Sequence, residues 1–320
     1  MITVLTGGTG GAKFLDGLRQ VVPAEDLILI VNTGDDLLWW GLYVSPDIDS
    51  ITYVLSGMLS KERGWGVKGD TFFCLQHMGQ LGQPIWFHAG DRDLAVHILR
   101  SKLLAEGKTL SEVTLEIADK LGVKARILPM SNSRVETRVM TPMGELSFEE
   151  YFVQRWYQDP VESVRFAGAA DAEPAPGVLD AIANADLVLV APSNPVTSIG
   201  PILAVPGIRE ALQQARARIA AVSPIVAGAA VAGPAGILMA AQGLPVSVAG
   251  VAQAYHDFLD LLVVDVRDAD AAEQLRQTGL KVHVAKTMMR TAEEKAELAA
   301  AVLAAAREEK SAAAAGPEPA

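Results

Sequence analysis

Residues 2–15 read ITVLTGGTGGAKFL. A short run of apolar and β-branched residues gives way to a glycine turn, and the turn gives way to a helix-forming stretch. That order predicts a strand, a tight turn and a helix, the opening unit of a parallel α/β sheet. In such a turn the missing side chains let an anion approach the backbone. The N–H groups at the helix start, with the positive end of its dipole, then favour phosphate. The spacing is neither G-x-x-x-x-G-K-[ST] nor a strict G-x-G-x-x-G, so it matches neither a P-loop nor a standard dinucleotide fingerprint. A tight connection without a ligand is the competing reading of the loop taken alone.

Further apolar runs occur at Leu27–Val31, Leu187–Ala191, Ile219–Val222, Val246–Ala249 and Leu261–Val264. They alternate with helix-like segments. Continuous apolar strands separated by helices predict a mainly parallel sheet covered on both faces, a doubly wound α/β fold. Residues from about 50 to 120 break the alternation and look helical, with Ile51, Val54, Leu55, Met58 and Leu59 at helical spacing. Thr109 and Glu112 form a capping-box pattern ahead of another amphipathic stretch. Val135–Thr141 and Glu145–Phe148 flank Pro142, Met143 and Gly144, which predicts an antiparallel hairpin. Residues 1–305 are expected to form one domain, with an insertion at about 50–160 over the sheet's ligand edge. Residues 306–320, rich in Ala, Glu, Lys and Pro from Glu308 on, are expected to be a disordered tail.

Composition narrows the class. The chain has 320 residues and a formal net charge of −11. That balance argues against non-specific nucleic-acid binding, which needs a basic surface. Met1–Leu5 leads straight into a strand, with no basic and apolar leader, and no apolar stretch reaches the ~20 residues of a membrane span. A cytoplasmic protein without membrane attachment is expected. The single cysteine, Cys74, excludes an intrachain disulfide. The five histidines show no ligand-like spacing, so neither a zinc site nor a Ser-His-Asp triad is indicated.

Carboxylates follow the second strand. Asn32, Thr33 and Gly34 precede Asp35 and Asp36, at a position that lines the ligand crevice of a doubly wound sheet. Ser45–Ser50 reads SPDIDS. If that segment is extended or turned, Asp47 and Asp49 can face one side, and hard oxygen ligands of this kind suit Mg²⁺ beside substrate phosphates. The competing reading is a helix N-cap. Ser193, Asn194 and Ser198 follow the strand at 187 and offer hydroxyls and an amide at the same edge.

An ordered series of motifs carries a resemblance. It comprises GGTGGAK (7–13), VNTGDD (31–36), SPDIDS (45–50), WGVKGDTF (65–72), GDRD (90–93), ILPMSN (127–132), PSNPVTSIGPI (192–202) and AGPAG (232–236). Over about residues 2–303 the chain resembles the CofD/FbiA family, the 2-phospho-L-lactate transferases of coenzyme F-420 biosynthesis. A related family, the YvcK-like proteins, shares the glycine loop. There, an Asp-Asp-Gly-Gly-type stretch usually follows the second strand, whereas here Asp36 leads into LLWWG, which favours the transferase. The alternatives are a YvcK-like nucleotide-sugar-binding regulator without turnover and, from the first strand and glycine loop alone, an NAD-dependent oxidoreductase.

The resemblance implies a Rossmann-like core, a homodimer and dependence on a divalent metal, expected to be Mg²⁺. It implies a donor in which guanosine diphosphate is esterified to a small acid, supplied by a guanylyltransferase. The acceptor would be the deazaflavin Fo, whose terminal ribityl hydroxyl attacks the distal phosphorus while GMP leaves. On this reading Asp47, Asp49 and Asp36 hold the metal, and Asp47 or Asp49 takes the hydroxyl proton. Gly7, Gly8, Thr9, Gly10, Gly11 and Lys13 hold donor phosphate, with Asn32, Ser193, Asn194 and Ser198 on the donor-nucleotide side. Arg92, with Asp91, meets the acceptor or the distal phosphate. Trp39 is the expected acceptor contact among four aromatics, with Trp40, Trp65 and Phe72, that could stack on the deazaflavin.

Overall fold

In a computed structural model describing residues 1–314, seven strands form the central sheet. They are β1 (Ile2–Thr6), β2 (Leu27–Val31), β3 (Arg126–Pro129), β4 (Leu187–Val190), β5 (Arg218–Val222), β6 (Leu261–Asp265) and β7 (Lys281–Ala285). Their spatial order is β7-β6-β5-β4-β1-β2-β3, and every neighbouring pair is parallel. The fold is therefore the expected Rossmann-like, doubly wound α/β architecture. Chain order runs one way from β1 to β3 and the other way from β4 to β7. The crevice beyond the ends of β1 and β4 is the switch point at which such sheets take ligands.

Side-chain alternation explains why the central strands read as unbroken apolar runs. Leu5, Ile28, Ile30, Val188 and Val190 face one core. Ile2, Val4, Leu27, Leu29, Val31, Leu187 and Leu189 face the other. Successive residues point to opposite faces, and both faces are covered. Helix α1 (Gly8–Val21) buries Phe14, Leu15 and Leu18 in the second core, where Leu298, Val302 and Leu303 of the C-terminal helix (Ala292–Ala314) meet them.

Two excursions leave the sheet, separated by β3. Residues 32–125 carry a short hairpin (Leu37–Trp39 with Leu42–Val44) and helices α2 (Pro46–Leu55), α3 (Phe73–Gln80), α4 (Asp91–Ala105) and α5 (Leu110–Lys120). Thr109 and Glu112 make the expected capping box on α5. Residues 130–186 carry a three-stranded antiparallel sheet in which Glu136–Thr141 lies between Gly144–Ser147 and Ser163–Ala167.

Three expectations are corrected. Val246–Ala249 is not a strand: Ser247 caps the helix Val248–Ala254 by accepting from the Gly250 N–H, and a cap outcompetes a run of small apolar residues. The hairpin gains a third strand, Ser163–Ala167. The C-terminal helix continues to Ala314, so the stretch expected as a tail is helical up to that residue, and residues 315–320 lie outside those described. Among the described residues no helix is long and apolar enough to cross a membrane.

Candidate active site

The glycine turn is built by close approach. Gly7 is extended, while Gly8 sits at φ +64°, where a side chain would be strained. A Cβ on Gly10 would collide with the Pro192 carbonyl oxygen, and one on Gly11 with the Thr6 hydroxyl. The space that the glycines leave is thus occupied by the loop after β4. Ser193 Oγ donates to the Gly7 carbonyl at 2.7 Å. Ser198 Oγ lies 3.0 Å from where a Gly8 Cβ would be. Asn194 Oδ1 accepts from the Val196 N–H at 3.0 Å and caps the following turn. The structure therefore gathers Gly7–Gly11, Ser193, Asn194 and Ser198 at the switch point, with exposed Thr9 in the first turn of α1. Lys13, half-buried one turn further on, makes no hydrogen bond or ion pair among the described residues.

Helix α2 brings Asp47 to this turn. Pro46 at its first position fixes φ for helix entry, and Asp47 and Asp49 in the first turn suit the dipole. Ser45 stands at the cap position but donates to Asp36 Oδ2 at 2.8 Å instead of capping. Asp47 Oδ1 accepts from the Gly8 N–H at 2.7 Å, and its Oδ2 accepts from Asn32 Nδ2 at 2.9 Å. Asn32 Nδ2 also reaches Asp35 Oδ2 at 2.9 Å and the Thr197 carbonyl at 3.2 Å. One amide thus ties together the end of β2, the start of α2 and the loop after β4.

Four carboxylates share this space. Burial pushes Asp47 up to about 6, against the hydrogen bonds from Asn32 and Gly8. Burial also pushes Asp36 up to about 8. Glu149 rises to about 8, by burial and then by the charges of Asp47 and Asp36. Asp35 is held well above the usual range by burial and by repulsion from Asp47 and Glu149. Thr33 Oγ1 and Thr197 Oγ1 are buried without a hydrogen-bond partner, and Asp35 Oδ1, Asp36 Oδ1 and Thr137 Oγ1 make no well-formed bond, although Thr137 lies near enough to Asp35, and Tyr43 to Asp36, to favour the ionised carboxyl. Buried hard oxygens of this kind are donors that suit a divalent cation such as Mg²⁺. The oxygens of Asp35, Asp36, Asp47 and Glu149 do not converge on one point, since among the described residues only Asp49, Asp93 and His97 bring three ligating atoms within 4.8 Å of one another, so this cluster can offer a cation one or two carboxylates at most.

The two aspartates of SPDIDS do not face one side. At about 100° per residue, positions two apart on a helix diverge by about 200°. Asp49 points to α4, where the Arg100 guanidinium forks onto both its oxygens, one contact measuring 3.0 Å. His97 Nε2 lies 3.3 Å from both Asp49 Oδ2 and Asp93 Oδ1, and Tyr53 donates to Asp93 at 2.6 Å. Burial alone would lower His97, but Asp49 and Asp93 outweigh it and hold the imidazole up to about 9. Ligating atoms of Asp49, Asp93 and His97 all lie within 4.8 Å of one another. With a guanidinium forked onto Asp49 and the imidazole between Asp49 and Asp93, this trio forms an ion-pair network.

Asp91 and Arg92 have structural partners. Asp91 accepts from the N–H groups of Phe73 and Cys74 at 3.1 and 2.9 Å and so caps α3. Asp70 in turn caps α4, accepting from the N–H groups of Arg92 and Asp93 at 2.8 and 3.1 Å. The Arg92 side chain is exposed and reaches the Lys68 carbonyl at 3.2 Å. Trp39 is buried and packs its ring against Trp86, Trp40 and Phe87, with centroids 4.8, 5.1 and 5.8 Å apart. Trp65 lies over His88, and Arg63 stacks on Trp65 and Phe72.

Sequence reasoning missed Glu149, Arg100 and His97, and took Asp36 but not Asp35. The signal for Glu149 was present: Ser147 and Glu150 hydrogen-bond reciprocally as in a capping box, which fixes the turn between them. The signal for the α4 network was the spacing of Asp93, His97 and Arg100 along one helix face.

The raised carboxylates set a pH dependence. Their folded pKa values exceed the unfolded ones, so the stability they contribute is complete below about pH 4 and is lost as pH rises through about 6 to 8. With chelator present, the thermal midpoint is expected to fall between pH 5 and pH 8, and added Mg²⁺ to restore it. Glu149→Gln should raise the midpoint at pH 8 by roughly 3–8 °C and change it little at pH 5. A pH-independent midpoint, unmoved by the substitution, would mean that these groups are ionised and solvated in the folded protein.

Comparison with known proteins adds an independent finding. The family model described as 2-phospho-L-lactate transferase CofD matches residues 2–305. A 2-phospho-L-lactate transferase of Methanosarcina acetivorans is 43% identical over 92% of this chain and 96% of its own length. A phosphoenolpyruvate transferase of Streptomyces coelicolor is 44% identical over 93% of this chain and 95% of its own length. Among solved structures, a UPF0052-family protein of Bacillus halodurans aligns with a TM-score of 0.62 at 19% identity, over 94% of this chain and 98% of the other, which is a likeness of fold.

Proposed function

The chain belongs to the CofD family of 2-phospho-L-lactate transferases, acting in coenzyme F-420 biosynthesis, and on that premise we propose that it moves a phospho-organic acid from a guanosine diphospho-ester to the deazaflavin Fo. The observation that supports this reading is the carboxylate cluster of Asp35, Asp36, Asp47 and Glu149 beside the glycine turn at the β1/β4 switch point.

The donor phosphates lie against the first turn of α1, where N–H groups beyond Gly8 are available and Lys13 adds positive charge. Ser193, Asn194 and Ser198 flank the nucleotide. The terminal ribityl oxygen attacks the distal phosphorus, the bond from that phosphorus to GMP breaks, and the hydroxyl proton passes to a carboxylate of the cluster. The protein's task is alignment and charge neutralisation more than covalent chemistry. A divalent cation held by one or two carboxylates of this cluster would neutralise the phosphate oxygens. The same reading carries a homodimer, a cytoplasmic location and a guanylyltransferase that supplies the donor.

The test is incubation of the protein with Fo, GTP, a guanylyl-transferring enzyme and Mg²⁺, plus 2-phospholactate, phosphoenolpyruvate or 3-phosphoglycerate in turn. Mass spectrometry should show GMP and acid-bearing Fo, with one acid preferred by about tenfold or more, a difference that one or two contacts can supply. Relatives of nearly equal identity bear the names of two different acids, so that preference is the variable the experiment resolves. No GMP and no modified Fo with any acid would overturn the reading.

A further inference from the structure

We infer that Arg100 and His97 are positioning residues, which lock the rotation of α2 and thereby hold Asp47 against the glycine turn. The inference rests on the transferase reading for its effect on turnover, but not for its structural content.

Asp47 and Asp49 share the first turn of α2 and look in different directions. Asp47 meets Gly8 and Asn32, while Asp49 meets Arg100 and His97. Arg100 and His97 are each 1% exposed, and Asp49 is 4% exposed. The same face of α4 carries Ser101, whose Oγ accepts from the Tyr43 N–H at 2.7 Å, so α4 grips both α2 and the hairpin ahead of it.

Cohesion alone does not explain buried charges here. Taking a guanidinium, an imidazolium and two carboxylates out of water is costly, and apolar side chains of similar volume would hold two helices together as well or better. What a forked guanidinium adds is direction, because two parallel contacts fix the carboxylate's plane as well as its distance. A carboxylate about 5 Å from a helix axis moves roughly 2 Å when the helix turns by about 20°. A shift of that size would break the 2.7 Å bond between Asp47 and Gly8. The lock on Asp49 is therefore a lock on Asp47, carried by one turn of helix.

The test compares wild type with Arg100→Lys, Arg100→Met and the double variant Arg100→Met/Asp49→Asn. The double variant removes both charges, so its thermal midpoint should recover relative to Arg100→Met. Its kcat should nevertheless stay at least 100-fold below wild type, because the directional contact is gone. Lysine keeps the charge without the fork, so Arg100→Lys should fall between wild type and Arg100→Met. Activity that returns with stability in the double variant would show a merely structural pair and overturn the inference. Amide exchange at Gly8 supplies a readout that needs no substrate. It should quicken at least tenfold in the double variant while amides of β1 stay protected. Unchanged exchange at Gly8 would overturn the inference even where wild type is active. A wild type without turnover would sink the transferase reading alone, and the exchange result would still decide the lock.

Discussion

Asp47→Asn is expected to lower turnover by about three orders of magnitude and leave the protein folded. In the wild type both oxygens of Asp47 accept, one from the Gly8 N–H and one from Asn32. Asparagine has one acceptor and one donor. Its oxygen can keep the Gly8 contact, but its NH₂ then faces the Asn32 NH₂. Losing one hydrogen bond this way costs about 1–2 kcal/mol. Removing a negative charge offsets part of that cost, because Asp35 and Glu149 are both repelled by Asp47. The effect on stability should therefore be small. The effect on chemistry is not, since a carboxylate that takes a proton or neutralises developing charge typically contributes on the order of 10²–10⁴ in rate. Rates of GMP release, read beside circular dichroism and thermal unfolding, check it. Turnover within tenfold of wild type would remove Asp47 from the reacting site.

What the sequence revealed follows burial. Strands β1, β2, β4, β5 and β6 have neighbours on both sides in the sheet and stand out as apolar runs. The two strands missed are β3 and β7, its two edges. Edge strands carry polar residues because one side meets water: Arg126 opens β3, and Lys281 and His283 interrupt β7. Ser163–Ala167 is likewise an outer strand of its small sheet, with Ser163 and Arg165 exposed. The glycine turn was legible because strand periodicity, turn residues and helix periodicity are adjacent in the chain. Asp47 was legible as an acid at a helix start. Its separation from Asp49 was not, because the partner that orients Asp49 lies 51 residues away on α4. Glu149 comes from an excursion that enters the site only after β3, and local spacing alone does not say which carboxylates a fold gathers. The glycines were read as making room for a ligand. Their nearer task is to let two backbone segments touch, and that changes what a substitution there should do.

Gly10→Ala is expected to lower the thermal midpoint by roughly 5–10 °C and to weaken binding of GDP by tenfold or more. Local propensity predicts the opposite sign. Gly10 lies within α1 and does not have a positive φ, so alanine there should favour the helix by about 1 kcal/mol. It would also lower the entropy of the unfolded chain. Against this stands the Pro192 carbonyl oxygen, deep inside the contact radius of the new methyl group. Neither side can move cheaply. The start of α1 is held by β1, by Asp47 on Gly8 and by packing on the C-terminal helix, and Pro192 follows a central strand of the sheet. Relief therefore comes by parting the turn from the loop, which strains the 2.7 Å bond from Ser193 to Gly7 and shifts Asn194 and Ser198 away from α1. Thermal unfolding and calorimetric titration with GDP measure the two consequences on one sample. A midpoint raised above wild type, as propensity alone predicts, would mean that the turn and the loop are not in contact in the folded protein, and the assignment of Ser193, Asn194 and Ser198 to the donor side would fall with it.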